Sequence, residues 1–122
     1  MLTQDWIMRR IETLTLTIAK LVFRKDTPDY RPGEDGRADA DVLYTSLRVL
    51  TGQGQYSDGE NLLFDALDEA EEPDPAFLDV ANDFYTHLNL LSDQELAAGG
   101  FSRQEIEDGL RDVMDQFGVE LP

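Results

Sequence analysis

Residues 41–70 read DVLYTSLRVLTGQGQYSDGENLLFDALDEA, and this stretch decides the fold. Leu43, Leu47 and Leu50 fall at i, i+4 and i+7, on one face of a helix. Gly52 and Gly54 interrupt the pattern, because glycine takes turn conformations that other residues resist. Ser57, Asp58, Gly59 and Glu60 have the form of a capping box, so a second helix is expected from Asp58. Its apolar stripe is Leu63, Ala66, Leu67 and Ala70, and it ends before Pro73. Two amphipathic helices joined by a glycine turn form a hairpin that buries one side and offers the other.

Toward the N-terminus, Thr3 has the form of an N-cap, with Leu2 and Ile7 as its hydrophobic staple. Ile7, Ile11, Leu14, Ile18 and Leu21 follow at steps of 4, 3, 4 and 3, an a/d seam. Residues 13–18, TLTLTI, alternate in polarity and are rich in β-branched side chains, which is a strand signal. The helical seam runs straight through them, and no glycine or proline precedes Pro28. A helix over residues 4–24 is therefore expected, about 31 Å long at the helical rise. Trp6, Met8, Leu16, Val22 and Phe23 widen its apolar surface. A helix this apolar sits inside a bundle or pairs with another chain. Residues 26–38 carry two prolines and two glycines amid mixed charge and read as a linker, with mobility expected around Tyr30.

Toward the C-terminus, Asp74 suits an N-cap and Pro75 the first helical position. Phe77, Ala81, Phe84, Leu88 and Leu91 again repeat at 4, 3, 4 and 3. Two further capping boxes run from Ser92 to Glu95 and from Ser102 to Glu105, stapled by Leu91 with Leu96 and Phe101 with Ile106. Gly99 and Gly100 end the short helix between them. Ile106, Leu110, Val113, Met114 and Phe117 carry the last helix to Gly118. The expected fold is an all-α helical bundle in one domain, residues 1–122. Its parts are a long N-terminal helix (1–25), a linker (26–38), and the hairpin with C-terminal helices (39–122).

The charge is extreme and lopsided. Ten Lys and Arg against 26 Asp and Glu give −16. Residues 1–48 hold 8 basic and 8 acidic side chains, so residues 49–122 carry 2 − 18 = −16. That half offers no basic surface for a phosphate backbone, which argues against nucleic acid. Arg9, Arg10, Lys20, Arg24 and Lys25 flank the first seam as in helices that lie on membranes. An anionic membrane would repel the acidic half, and no uncharged apolar run reaches the roughly 18 residues of a span. The chain has no cysteine and no secretory leader pattern, which points to the cytoplasm.

His87 follows Asp79 and Asp83 at steps of four, so three metal-ligand types line one side of a helix. The stripe through Phe77 and Phe84 points the opposite way, so Asp79 and Asp83 are expected to face water. Di-iron bundles need Glu-x-x-His pairs, which are absent here. No metal, cofactor or catalytic residue is expected. Asp65, Asp68, Glu69 and Glu72 form one acidic patch; Glu105, Asp108, Asp112 and Asp115 form another.

Two resemblances accompany these readings. Gly54, Gln55 and Tyr56, followed by Leu63 and Ala66, resemble the turn and second helix of a tetratricopeptide repeat, with Leu43 and Leu50 matching its first helix. Gly59 stands where that repeat has alanine, Leu47 where it has a small residue, and the closing proline comes late. No second copy follows, so the resemblance implies a repeat-like hairpin rather than an array. The nonapeptide from Gln4 to Glu12, QDWIMRRIE, resembles an uncharacterised family of small bacterial all-helical proteins. Ile18-Ala19-Lys20-Leu21 and Asn61-Leu62-Leu63-Phe64 carry the same resemblance. It implies the helical layout and a bacterial cytoplasm, and it transfers no catalytic residue.

The function expected is a non-catalytic protein–protein interaction module with a basic protein partner. The acidic half would favour that partner, and Tyr44 and Tyr56 near the turn are candidate anchors, with burial inside the hairpin the competing and preferred reading for Tyr56. A homodimer through the first helix is also expected, because Trp6, Ile7, Ile11, Leu14, Ile18 and Leu21 exceed what one small core requires. The alternative is a small metal-dependent enzyme using Asp79, Asp83 and His87.

Overall fold

The computed structural model describes residues 5–33 and 38–121. Among these residues there are six α-helices and no strand. They are α1 (Asp5–Val22), α2 (Ala38–Gly52), α3 (Tyr56–Glu69), α4 (Pro75–Leu90), α5 (Asp93–Ala98) and α6 (Arg103–Gln116). The all-α bundle expected from the periodicity is the fold observed.

The central element is α4. Leu78, Val80, Ala81, Phe84, Tyr85 and Leu88 are all buried, so its apolar surface runs round the helix instead of along one stripe. A helix apolar on all sides must be surrounded. It packs on α1 and α6 on one side and on the α2–α3 hairpin on the other.

The TLTLTI stretch lies within α1. Its threonines fold their hydroxyls back onto the helix: Thr13 donates to the Arg9 carbonyl (3.0 Å), Thr15 to that of Glu12 (3.1 Å) and Thr17 to that of Thr13 (2.6 Å). That internal pairing lets β-branched polar residues sit mid-helix. The Thr3 cap and Leu2 staple lie outside the described residues.

Three helix ends share one device. Gly54, Gly100 and Gly118 take φ of 74°, 70° and 67°, and the next N–H bonds five residues back, to Leu50, Leu96 and Met114. These are Schellman-type ends, which need the left-handed residue glycine supplies. At the end of α1 the left-handed position is filled by Arg24 (φ 54°).

Two expectations about local structure are corrected. The hairpin's second helix starts at Tyr56, not Asp58, and no side chain caps it. The chain enters α3 straight from the Gly54 turn, so Ser57 is already helical and Glu60 is engaged elsewhere. The first part of the linker is held down. Tyr30 is buried; its N–H donates to Asp83 (2.9 Å) and its hydroxyl to Asp41 (2.5 Å). Gly33 N–H donates to the other Asp41 oxygen (2.9 Å), and the Tyr30 ring meets Tyr44 at 5.2 Å.

Of the remaining caps, Asp74 and the Ser92–Glu95 box form as read, while the Ser102–Glu105 box is only half made, its Glu105 carboxylate accepting from the Ser102 hydroxyl instead of the Ser102 N–H. Asp74 accepts from Ala76 N–H with Pro75 opening α4, and the Ser92–Glu95 box is complete. Ser102 accepts from Glu105 N–H at the start of α6.

Candidate functional site

The three metal-ligand types on α4 are not brought together as a ligand set. Asp79 is drawn to Lys25, whose Nζ donates to both carboxylate oxygens (2.8 and 2.9 Å). Asp83 does not face water: it is 2% exposed, because α4 buries more than the Phe77–Phe84 stripe. Its carboxylate accepts from Tyr30 N–H and lies 3.0 Å from His87 Nδ1. The bond to Asp83 raises the His87 pKa above its ordinary value, while burial and nearby Arg48 pull it down. Among the described residues no three His, Asp or Glu side chains converge as metal ligands.

His87 borders an open groove of about 690 Å³ where α2, α4 and α5 all end. Leu90 (70% exposed), Leu91, Arg48 and Glu95 line its walls. Tyr56 closes one side and is buried, with its ring edge-on to Phe101 at 6.3 Å. The absence of a side chain at Gly99 admits that ring; a Cβ there would strike it and the Gly54 carbonyl. Tyr56 is thus the wedge of the hairpin turn, and Tyr44 is half-buried against Tyr30.

Four residues beyond Tyr56 stands Glu60. Its carboxylate accepts from the buried Tyr85 hydroxyl (2.6 Å), across a gap left by Gly109 of α6. Burial raises the Glu60 pKa, the Tyr85 bond opposes this, and the negative charges of Glu105, Asp112 and Asp108 add to the rise. Burial likewise pushes the Tyr85 hydroxyl far above its ordinary pKa, and Glu60 adds to it. Glu60 therefore shares one acidic ridge with α6. No ion pair of the described residues uses Glu105, Asp108 or Asp112. Arg111 turns instead to Glu107 (3.2 Å) on the other side of α6.

The first helix divides into two faces. Ile7, Ile11, Leu14 and Ile18 are buried in this chain's own bundle, so the seam that motivated a homodimer is filled from within. Trp6 (56%) and Leu21 (59%) remain exposed. Arg10 lies over the Trp6 ring at 4.5 Å and grips Glu107 through two bonds (2.6 and 2.7 Å). That grip lowers the pKa of Glu107, which is itself buried.

Several polar anchors gave no periodic signal. Arg103 is buried and donates to the carbonyls of Asn89 (2.8 Å) and Leu91 (2.6 Å), closing the end of α4. Asn82 donates to the Thr15 carbonyl and Asn89 to that of Met8, both at 3.0 Å. The one available hint was polar residues interrupting an otherwise apolar α4.

No helix among the described residues is long and apolar enough to cross a membrane. No curated protein and no solved structure matches the chain. A family profile covers residues 1–118, and the chain belongs to that family, a family of unknown function (DUF6483).

Proposed function

We propose that the protein is a non-catalytic docking module that holds a basic segment of a partner protein on the ridge formed by Glu60, Glu105, Asp108 and Asp112. One observation carries this reading: three carboxylates of α6 stand beside Glu60, and none of them joins an ion pair of the described residues. Like charges held together destabilise the fold by mutual repulsion, and a cationic ligand removes that repulsion on binding. The exposed Leu90 and the groove at the hairpin turn lie at the same end of α3 and offer apolar contact beside the charge. The hairpin, read as tetratricopeptide-like, supplies the rigid support. The catalytic alternative has less behind it, because Lys25 and Tyr30 already engage Asp79 and Asp83.

Titration with a lysine- and arginine-rich peptide, followed by calorimetry, tests the reading. Binding is expected at low salt, weakening steeply as salt screens the charges. Replacing Glu105, Asp108 and Asp112 by their amides should abolish it. The same change at Asp65, Asp68 and Glu69, which removes equal charge from an exposed face of α3, should leave most of it. Equal losses from the two variants would show only a general charge effect and refute the ridge as the site.

A further inference from the structure

We infer that residues 25–33 form a strap across α2 and α4 whose closure is coupled to the protonation of His87. The segment follows α1 and contains no helix. Carboxylates of two helices hold it down. Lys25 Nζ binds Asp79, Tyr30 N–H donates to Asp83, and the Tyr30 hydroxyl and Gly33 N–H both donate to Asp41. Between Lys25 and Gly33 only Pro28 and Tyr30 are buried. A segment with so few buried side chains opens at low cost while the helices beneath it stay folded. Asp83 joins this strap to the histidine. One of its carboxylate oxygens accepts from Tyr30 N–H (2.9 Å), and the other lies 3.0 Å from His87 Nδ1. The same Nδ1 lies 2.9 Å from the Asp83 carbonyl oxygen. Both neighbours are acceptors, so Nδ1 keeps its hydrogen in either charge state. The proton that titrates is therefore the one on Nε2. Its loss removes the positive charge and leaves the bond to Asp83 in place.

The closed strap keeps Asp83 out of water, and an ion pair is stronger in drier surroundings. Closure thus favours the charged histidine, and by linkage the charged histidine favours closure. Burial of the ring opposes this, but the Asp83 bond outweighs it and the net effect on the His87 pKa is upward. The other charged groups around His87 are Arg48 of α2, which opposes its protonation, and Glu95 of α5, which borders the same groove. On the strap side Lys25 is paired with Asp79. Histidine alone among these ordinarily titrates near neutral pH. With the strap closed, the His87 pKa lies above 6.5; with it open, water around Asp83 brings the value back toward 6.5. Closure is therefore at full strength below pH 6.5 and weakens as pH rises through the closed-state value. Each unit between the two values is a change of about tenfold in the opening equilibrium.

Amide hydrogen exchange of the full chain from about pH 5 to 8, read by NMR and corrected for intrinsic rates, tests the coupling. Protection of the Tyr30 and Gly33 N–H groups should lie below that of Leu110 in α6, because the strap opens by itself. It should fall as His87 loses its proton, by about tenfold for each unit that separates the closed and open pKa values. In His87→Gln, which keeps a donor near Asp83 but does not titrate, that fall should vanish. Tyr30→Phe removes the bond to Asp41 and changes no charge. By reciprocity it should lower the His87 pKa, followed through the ring resonances. This second titration decides the matter even where His87→Gln loses its fold. Protection at Tyr30 equal to that at Leu110, or a flat wild-type profile, overturns the inference. So does a fall retained in His87→Gln, or an unmoved His87 pKa in Tyr30→Phe.

Discussion

Gly109 sits inside α6, where alanine is ordinarily better than glycine by about 0.8–1.0 kcal/mol. We expect Gly109→Ala to destabilise the protein instead. An added Cβ would strike the Glu60 carboxylate and the Tyr85 hydroxyl, and would stand 2.8 Å from Tyr85 Cζ. Glu60 is half-buried and its carboxylate can swing aside. Tyr85 is fully enclosed, with its ring packed against Phe84 at a centroid distance of 5.1 Å, and cannot. If Glu60 leaves, the Tyr85 hydroxyl loses its acceptor in a buried place, at about 1–3 kcal/mol. Displacing the ring adds a strain of about 1–3 kcal/mol. Set against the helix gain, the net loss is about 1–5 kcal/mol.

Urea unfolding measures this directly. With m of about 2 kcal/mol/M, the midpoint should fall by roughly 0.5–2.5 M. In a Tyr85→Phe background the same substitution should cost less, because the hydroxyl it strands is already gone. A midpoint that rises on Gly109→Ala would mean that helix propensity wins and that the Glu60–Tyr85 contact does not hold α3 and α6 together.

Gly99→Ala should cost more than Gly59→Ala by at least about 1 kcal/mol, because it meets the Tyr56 ring and a backbone carbonyl. At Gly59 the nearest Phe84 atom is 3.1 Å away and has only to yield slightly, so equal urea midpoints would contradict the packing. Arg24→Gly should stabilise by about 0.5–1 kcal/mol, since the left-handed backbone that strains arginine suits glycine; a lower melting temperature would refute this. For His87 the folded pKa lies above the ordinary 6.5. Its contribution is therefore complete below pH 6.5 and is lost as pH rises through the folded value. His87→Gln should flatten that part of the stability–pH profile, and an unchanged slope would rule out the Asp83–His87 pair as its source.

How much was legible in the sequence follows from which forces are periodic. The α1 seam, the apolar face of α2 and the caps at Asp74 and Ser92 were readable, because a helix converts spacing into direction. Asp83 was misplaced for the same reason. Periodicity assigns one buried face, whereas α4 is central and buries the side chains beside its stripe as well. The capping box at Ser57 was misread because the same four residue types serve just as well inside a first turn. Tyr30 was expected to be mobile because nothing local announces that Asp41 and Asp83 will accept its two donors. The ridge was visible only in part. Glu105, Asp108 and Asp112 could be seen as a patch on α6, but Glu60 joins them only through the fold and the gap at Gly109.

The buried amides of α4 show what periodicity leaves undecided and how this chain decides it. An apolar seam permits two helices to slide by a turn with little change in burial. Asn82 and Asn89 are seven residues apart, and the α1 carbonyls they reach, Thr15 and Met8, are seven apart in the opposite order. Only an antiparallel pairing in one register satisfies both bonds. These side chains are not an efficient source of stability. Asn82 Oδ1 is buried without a partner among the described residues, and such an atom costs about 1–3 kcal/mol. Leucines would fill the same space with no polar atom to satisfy. The amides instead tie α4 to two particular α1 carbonyls, bonds that the apolar seam alone does not specify. Fixing α1 on α4 in this way also aligns Arg10 with Glu107, turning one face of α6 toward α1 and leaving its acidic face outward.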